Sequence, residues 1–342
     1  HKNAAAMRAA IASPGNDHRL GANEAPPAII SVFLGSLLEN ILNSIESGKA
    51  LKATDEQIID LGVSQIPNIS KDYTDRNRTS PFAFTGNKFE FRAVGSSQNV
   101  AVPMSFLNAA VAASFRESTI ELKDLLKKKK RDEAVMELIR KIVKETKTIR
   151  FSGNGYSDEW KAEAKKRGLP ILNTTPEALE VLKDKKLTQF LVDTKVLSKE
   201  EIDSRYHIAV ERYVKTLDIE HSSLLELTST YIIPTLEKQM EQLGAAHESM
   251  TSPALKKQHK NRITEFEEVF ADVLSTFATF RTKVEKSRKG MDENKRMWEI
   301  MEELQPASFK LRDAVDASEL LVSNELWPLP KYREMLLAHN LA

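Results

Sequence analysis

The clearest strand in the chain is the stretch GNKFEFR, residues 86–92. Polar and apolar side chains alternate along it, so Phe89 and Phe91 share one face. The opposite face carries three charged residues: Lys88, Glu90 and Arg92. The glycine–asparagine pair at its start supplies turn chemistry. This pattern predicts a strand within residues 80–94 whose two aromatic side chains face a core.

Helical patterns flank this strand on both sides. The alanine-rich start of the chain predicts a first helix that ends at the breaker cluster SPGND, residues 13–17. A second helix is predicted to follow the two prolines at 26–27 and to run to about Leu42. Residues 115–195 read as charged helices, and nearly everything after residue 198 reads as helix, with Pro234 expected to kink or end one of them. One late helix repeats apolar residues at alternating four-three spacing, which is typical of a bundle seam: Phe266, Phe270, Val273, Phe277, Phe280 and Val284.

Composition excludes several classes of protein. The 342 residues contain 50 Lys and Arg against 49 Asp and Glu, so the net charge of +1 gives no reason to expect nucleic acid or an anionic membrane as a partner. No apolar run is long enough to span a bilayer. The chain has no cysteine, which excludes disulfides and thiolate metal sites and agrees with a cytoplasmic location. The absence of a start methionine at His1 leads us to expect a fragment of a longer chain.

Three segments combine residues that could bind anions or a metal ion. The loop GNDHRLGANEAPP, residues 15–27, contains Arg19, which can grip a carboxylate, and Glu24, which can accept a proton. The turn DRNRTS, residues 75–80, is dense in arginine. On the strand, Glu90 lies between two cations and could hold a divalent metal. Each segment also has an ordinary interpretation, as a solvated strand face, a polar helix connection or a charged surface turn.

Taken in order, these segments resemble the glutamine synthetases. In that family an arginine precedes a flexible loop whose glutamate closes the site, an Arg-Asn-Arg segment follows, and a strand then reads basic-apolar-Glu-apolar-Arg. The full wording of the loop and the strand is similar to the large type III subgroup, as is FSGNGYSDEW, residues 151–160. The resemblance covers most of the chain and is strongest before about Ala113.

The resemblance implies ATP-dependent formation of glutamine from glutamate and ammonia through γ-glutamyl phosphate. Arg19 and Arg92 would bind the substrate glutamate or the phosphoryl group during its transfer. Glu24 would lie on the closing loop, shield the acyl phosphate from water and help to deprotonate ammonium. Such a lid is needed because water would otherwise hydrolyse the intermediate.

The resemblance also implies how the anions and the metal are held. Arg78 would stabilise charge during phosphoryl transfer, while Lys88 and Arg76 would bind the nucleotide phosphates of ATP. Glu90 would ligate a catalytic Mg²⁺ or Mn²⁺ ion. Metal ions and guanidinium groups suit this chemistry because both reactants are anions that repel each other.

The expected fold is α+β, with part of the antiparallel catalytic sheet and its helices followed by a bundle of long helices. Residues 1–114 would be the C-terminal part of the catalytic domain, 115–197 a helical connecting region and 198–342 the bundle. The paired glutamates and the Asn-Gly…His segment that the family uses as further ligands are absent, as is its amino-terminal domain. We therefore expect these 342 residues alone to be inactive.

The implied partners are glutamate, ammonia and ATP, within a ring-shaped homo-oligomer that is a dodecamer by family resemblance. Two other functions stay open at the level of sequence. A γ-glutamyl ligase could use an amine other than ammonia, because much of the amine pocket lies outside the chain. Alternatively, a non-catalytic helical scaffold would use the same Arg and Glu clusters as surface ion pairs.

Overall fold

The computed structural model describes residues 1–22, 25–48, 58–59, 69–70, 79–95, 98–289 and 292–337. These residues form two compact units, His1–Ala209 and Val210–Ala342. Helices dominate both units. None of the described helices contains a stretch long and apolar enough to cross a membrane. The predicted division of the chain at residues 114 and 197 stays a prediction.

The first unit combines short helices with a small sheet. Its helices are α1 Ala4–Ala10, α2 Pro14–Arg19, α3 Gly35–Ser47, α4 Ala101–Leu126, α5 Arg131–Glu145, α6 Asp158–Lys166, α7 Thr175–Leu179 and α8 Lys185–Asp193. Turns of 3-10 helix occupy Lys147–Ile149 and Glu180–Lys183. The long helix α9 spans Lys199–Leu227.

The sheet is mixed, whereas the sequence led us to expect an antiparallel one. The strands of this unit are β1 Val32–Phe33, β2 Ile58–Ile59, β3 Ile69–Ser70, β4 Phe82–Phe84 and β5 Phe89–Phe91. The order β1-β4-β5 joins a parallel pair, β1 with β4, to an antiparallel pair, β4 with β5. β2 and β3 form a separate antiparallel pair. The antiparallel hairpin of β4 and β5 corresponds to the predicted strand segment.

The aromatic face of this hairpin is less buried than we expected. The Phe82 ring stacks on Phe89 with 5.4 Å between centroids, and Phe84 contacts the same ring at 5.2 Å. Phe89 nevertheless remains 48% exposed. Phe82 and Phe91 line an open apolar cavity of about 370 Å³. The prediction that both strand aromatics face a core is therefore wrong for Phe89.

Two helix boundaries also differ from prediction. The breaker cluster does end α1, but Pro14 then begins α2, because the Ser13 side chain accepts a hydrogen bond from the Asn16 amide at 3.3 Å and caps the new helix. The helix expected directly after the two prolines begins only at Gly35. Val32 instead joins the sheet as part of β1, where its carbonyl accepts from Phe151 at 3.0 Å.

The second unit is a helical bundle. Its remaining helices are α10 Ile233–Ser249, α11 Pro253–Ser287, α12 Glu293–Glu299, α13 Gln305–Glu319 and α14 Tyr332–Leu337. The predicted phenylalanine seam lies on α11, with Phe266, Val273 and Phe280 buried. Pro234 does not end its helix, because a π-helical turn, Thr228–Ile232, connects α9 to α10. A second π-helical turn, Ile300–Leu304, precedes Pro306 in the same way.

Candidate functional site

The β4–β5 hairpin presents the charged face that the sequence predicted. Gly86 has a φ of 96°, a conformation that suits glycine, and the Thr85 amide donates to the Lys88 carbonyl at 2.8 Å to close the turn. Glu90 pairs in register with Ala83, which is fully buried. The hairpin continues one residue beyond β5, where the Arg92 amide donates to Pro81 at 2.8 Å. A rigid pair of strands thus fixes the backbone that carries Glu90.

Glu90 lies between two cations on this face. Arg92 donates to its Oε2 atom from both Nε, at 3.2 Å, and Nη2, at 3.1 Å. Lys88 Nζ lies 3.4 Å from the other carboxylate oxygen. The hydrogen bond from Arg92, assisted by Lys88, lowers the pKa of the Glu90 carboxyl below its ordinary value. Glu90 is therefore an ionised, half-exposed carboxylate that can reach a ligand.

Arg19 comes to the same strand end from α2. Its Nη2 atom donates to the Arg92 carbonyl at 3.2 Å, and Nη1 lies 3.4 Å from the Ala93 carbonyl. The buried Asn16 side chain also donates to Ala93, at 3.2 Å, and to Ile11 at 2.7 Å. The structure therefore brings Arg19, Arg92, Glu90 and Lys88 into one neighbourhood, although they are up to 73 positions apart in the chain.

A buried ionic network holds the opposite side of α2, and sequence reasoning gave it no role. Asp17 accepts hydrogen bonds from the Thr175 amide at 3.0 Å and from its hydroxyl at 2.8 Å. Arg8, which is 1% exposed, lies 3.5 Å from Asp17 and donates to the Leu172 carbonyl at 2.8 Å. Burial raises the pKa of Asp17 and lowers that of Arg8, while each partner opposes the shift of the other. The sequence gave one indication of this network, because Arg8 is a charged residue inside an alanine-rich helix.

Close backbone packing explains Gly155 in the segment 151–160. The Gly155 amide donates to the Thr79 hydroxyl at 2.9 Å. A Cβ atom at Gly155 would lie 2.6 Å from the Thr79 carbonyl oxygen and 3.3 Å from Pro27. Ser157 caps α6 as predicted, accepting from the Trp160 amide at 3.2 Å. This loop therefore supports the chain next to two of the predicted site segments.

Three predicted site residues, Glu24, Arg76 and Arg78, lie outside the described residues. Their predicted roles stay predictions. Gly21 and Pro26, which lie before and after Glu24 in the chain, are close together, because the Gly21 amide donates to the Pro26 carbonyl at 3.0 Å. The residue that follows Arg78 in the chain is Thr79, which is held against Gly155.

The Glu90 carboxylate is chemically suited to a hard divalent cation, which binds protein through oxygen atoms. Within the described ranges, no group of three or more His, Asp or Glu side chains could hold a metal ion. Mg²⁺ often takes only one or two protein carboxylates and completes its shell with water and substrate phosphates. A single carboxylate such as Glu90 can supply one of these protein ligands.

Comparison with known proteins places these residues in a wider context. Residues 134–251 match the family model of the glutamine synthetase C-terminal domain. The chain is 36% identical over 340 residues to the type-3 glutamine synthetase of Dictyostelium discoideum, covering 96% of this chain and 46% of that protein. It is 37% identical to a glutamine synthetase of Bacteroides fragilis, covering 98% and 48%, and 33% identical to one of Butyrivibrio fibrisolvens, covering 96% and 47%. The chain spans about half the length of these relatives.

Proposed function

We propose that this chain is the C-terminal half of a glutamine synthetase, because almost all of it is similar to the C-terminal half of glutamine synthetases, a type-3 enzyme among them. That similarity is the observation that carries the proposal. The whole protein would join ammonia to the side-chain carboxylate of glutamate, with ATP forming a γ-glutamyl phosphate on the way. The match of residues 134–251 to the family's C-terminal domain supports the same assignment.

The geometry around Arg19 supports a role in binding anions. Phosphoryl transfer to a carboxylate brings two anions together, so fixed cations must offset their repulsion. Arg19 and Arg92 lie side by side, with the guanidinium of one bonded to the backbone of the other. In the proposed enzyme they bind glutamate or the phosphoryl group, and Lys88 on the same strand binds nucleotide phosphate together with Arg76.

Glu90 is the proposed metal ligand on this part of the chain. When bound, Mg²⁺ or Mn²⁺ would neutralise phosphate charge and polarise the group that is transferred. The cations beside Glu90 keep it ionised, which is the state that a metal ligand needs. Glu24 and Arg78 are proposed to close the site and to stabilise the developing charge.

Exposed apolar surface on the first unit supports the proposal that the active protein is longer. Phe89 is 48% exposed on the hairpin, and Phe115 on α4 is 71% exposed. Both lie near an open apolar cavity, which Phe115 lines together with Phe91. Apolar surface of this kind is normally covered by another part of a protein. In relatives about twice as long, the preceding half is available to cover it.

We further propose a cytoplasmic, ring-shaped homo-oligomer in which the helical bundle packs between subunits or serves regulation.

The test is ATP turnover by the full-length protein in the presence and absence of glutamate. A glutamine synthetase releases phosphate only when glutamate and ammonia are both supplied, and it forms glutamine in equal amount. Small amines replace ammonia in a parallel series. Turnover with an amine but not with ammonia would instead assign a different γ-glutamyl ligase. No glutamate-dependent turnover with any acceptor would leave the helical scaffold as the explanation.

A further inference from the structure

Asn16 is a buried polar residue on α2, one helical turn before Arg19. Only 1% of its surface is exposed. Its amide nitrogen donates to the carbonyls of Ile11, at 2.7 Å, and Ala93, at 3.2 Å. Its amide oxygen accepts a hydrogen bond from Arg19 Nη1 at 3.3 Å. Each polar atom of this buried side chain is therefore in use, and one of them holds Arg19.

The contacts of Asn16 require an amide group in one orientation. Its nitrogen donates to two backbone carbonyls, so the amide oxygen must face Arg19, because the reverse orientation would place oxygen against oxygen. An aspartate would meet the same conflict, since both of its oxygens are acceptors. Gly95 leaves room for the group, because a Cβ atom there would lie 3.2 Å from the Asn16 oxygen. The backbone thus fixes the direction in which Asn16 accepts.

These protein contacts occupy only one part of the Arg19 guanidinium. Nη1 donates to Asn16 and lies 3.4 Å from the Ala93 carbonyl, and Nη2 donates to the Arg92 carbonyl at 3.2 Å. The N–H of Nε and the second N–H of Nη2 have no acceptor in the part of the chain that the structure describes. These two N–H groups share one edge of the planar guanidinium. Such an edge can bind two oxygen atoms of a carboxylate or a phosphate.

We propose that Asn16 is a positioning residue, which holds Arg19 so that the Nε–Nη2 edge of its guanidinium binds the substrate anion. This inference rests on the proposed function and names the part of Arg19 that contacts the glutamate carboxylate or the phosphoryl group. A free arginine side chain has several rotatable bonds, so fixing it in advance removes an entropy cost from binding. Asn16 acts through Arg19 and does not contact the ligand.

The experiment is a double-mutant cycle on kcat/KM for glutamate in the full-length enzyme. Asn16→Ala should lower kcat/KM about tenfold or more, because misplacing a binding group has a cost of this order. In an Arg19→Lys background the same change should cost less than about twofold, since the edge that Asn16 positions is already lost. Ser13→Ala is the matched control, because it removes the cap of the same helix. Its effect should be equal in both backgrounds.

Equal losses from Asn16→Ala in the two backgrounds would overturn the proposal, because a merely structural residue lowers the active fraction of either enzyme alike. A rise in KM for glutamate would identify the carboxylate as the bound anion, and a fall in kcat would identify the phosphoryl group; both support the proposal.

If Asn16→Ala does not fold, Gly95→Ala decides, because it crowds the Asn16 oxygen and leaves the amide in place. It should lower kcat/KM more in the wild type than in Arg19→Lys, and equal losses would again overturn the proposal. A wild type without glutamate-dependent turnover would overturn the proposed function together with this inference. In an active wild type, equal losses overturn this inference alone.

Discussion

The guanidinium of Arg19 donates a hydrogen bond to the backbone carbonyl of Arg92, at 3.2 Å. Arg19 is the last residue of α2, and Arg92 follows the end of β5. The bond therefore ties the start of the proposed closing loop to the strand that carries the proposed metal ligand. Any movement of α2 would move one of the two proposed anion-binding arginines relative to the other.

The first prediction concerns the planar guanidinium group of Arg19. Arg19→Lys keeps the positive charge but cannot donate to two acceptors with the same geometry. In the proposed full-length enzyme we expect kcat/KM for glutamate to fall about 100-fold. A loss of this size is typical when an enzyme loses one preorganised hydrogen-bond donor to the charge that develops in the transition state. Steady-state kinetics measures this change.

The matched control for Arg19 is Arg312→Lys. Arg312 donates to Asp316 at 2.7 Å on the exposed side of α13, outside the proposed site. This variant should keep kcat/KM within twofold of the wild type. An Arg19→Lys enzyme as active as the control would remove Arg19 from the proposed anion site.

The second prediction concerns the ion pair that holds α2 from its other side. Arg8→Met leaves Asp17 buried without its cation, and Asp17→Asn leaves Arg8 without its anion. Removing one member of a buried pair costs about 3–5 kcal/mol of unfolding free energy. Because the two residues contact each other, the double variant should lose less than the sum of the single variants, with a coupling of about 1–3 kcal/mol.

Denaturant unfolding of the four proteins gives this double-mutant cycle. Additive losses, with no coupling beyond experimental error, would show that the Arg8–Asp17 contact does not stabilise the fold. Since this pair fixes α2, both single variants should also lower glutamate-dependent turnover. That second readout links the stability of α2 to the geometry of Arg19.

The features that sequence predicted well are those set by local periodicity. Alternation fixes which face of β5 carries Glu90, and heptad-like spacing fixes the buried face of α11. Both depend only on neighbouring residues along one element. The proximity of Arg19 to Arg92 was anticipated only through the family resemblance, because no local pattern relates residues so far apart.

The features that sequence missed depend on contacts between distant segments. Pro14 looked like a breaker, yet the Ser13 cap makes it the first residue of α2. Val32 had a helical pattern around it, but pairing with Phe82 places it in the sheet. The role of Asp17 depends on Thr175, 158 residues later. Propensity is a weak guide wherever tertiary contacts of this kind compete with it.

The third prediction concerns Gly155, where a side chain has no room. Gly155→Ala would place a Cβ atom 2.6 Å from the Thr79 carbonyl oxygen. We expect a loss of about 1–3 kcal/mol in unfolding free energy, since backbone must shift to make space. Gly244→Ala is the matched control, because nothing lies within 4 Å of its Cβ position on α10.

The control should change stability in the opposite direction. Alanine in a helix interior is favoured over glycine by about 1 kcal/mol, so Gly244→Ala should raise the melting temperature while Gly155→Ala lowers it. Thermal unfolding measures both. A Gly155→Ala protein as stable as the wild type would mean that the loop does not pack on Thr79.

The last prediction concerns pH and the buried His221 of the second unit. Burial lowers the pKa of its imidazole below 6.5, and the hydrogen bond with Gln305 opposes this shift only in part. Below about pH 6.5 the unfolded chain therefore binds a proton that the folded state excludes. The unfolding free energy should fall as the pH drops through this window, by at most about 1.4 kcal/mol per pH unit from this residue. Unfolding at pH 7.5, 6.5 and 5.5 should show a weaker pH dependence in His221→Gln than in the wild type. An identical slope in His221→Gln would mean that this imidazole is protonated as readily in the folded state as in the unfolded chain.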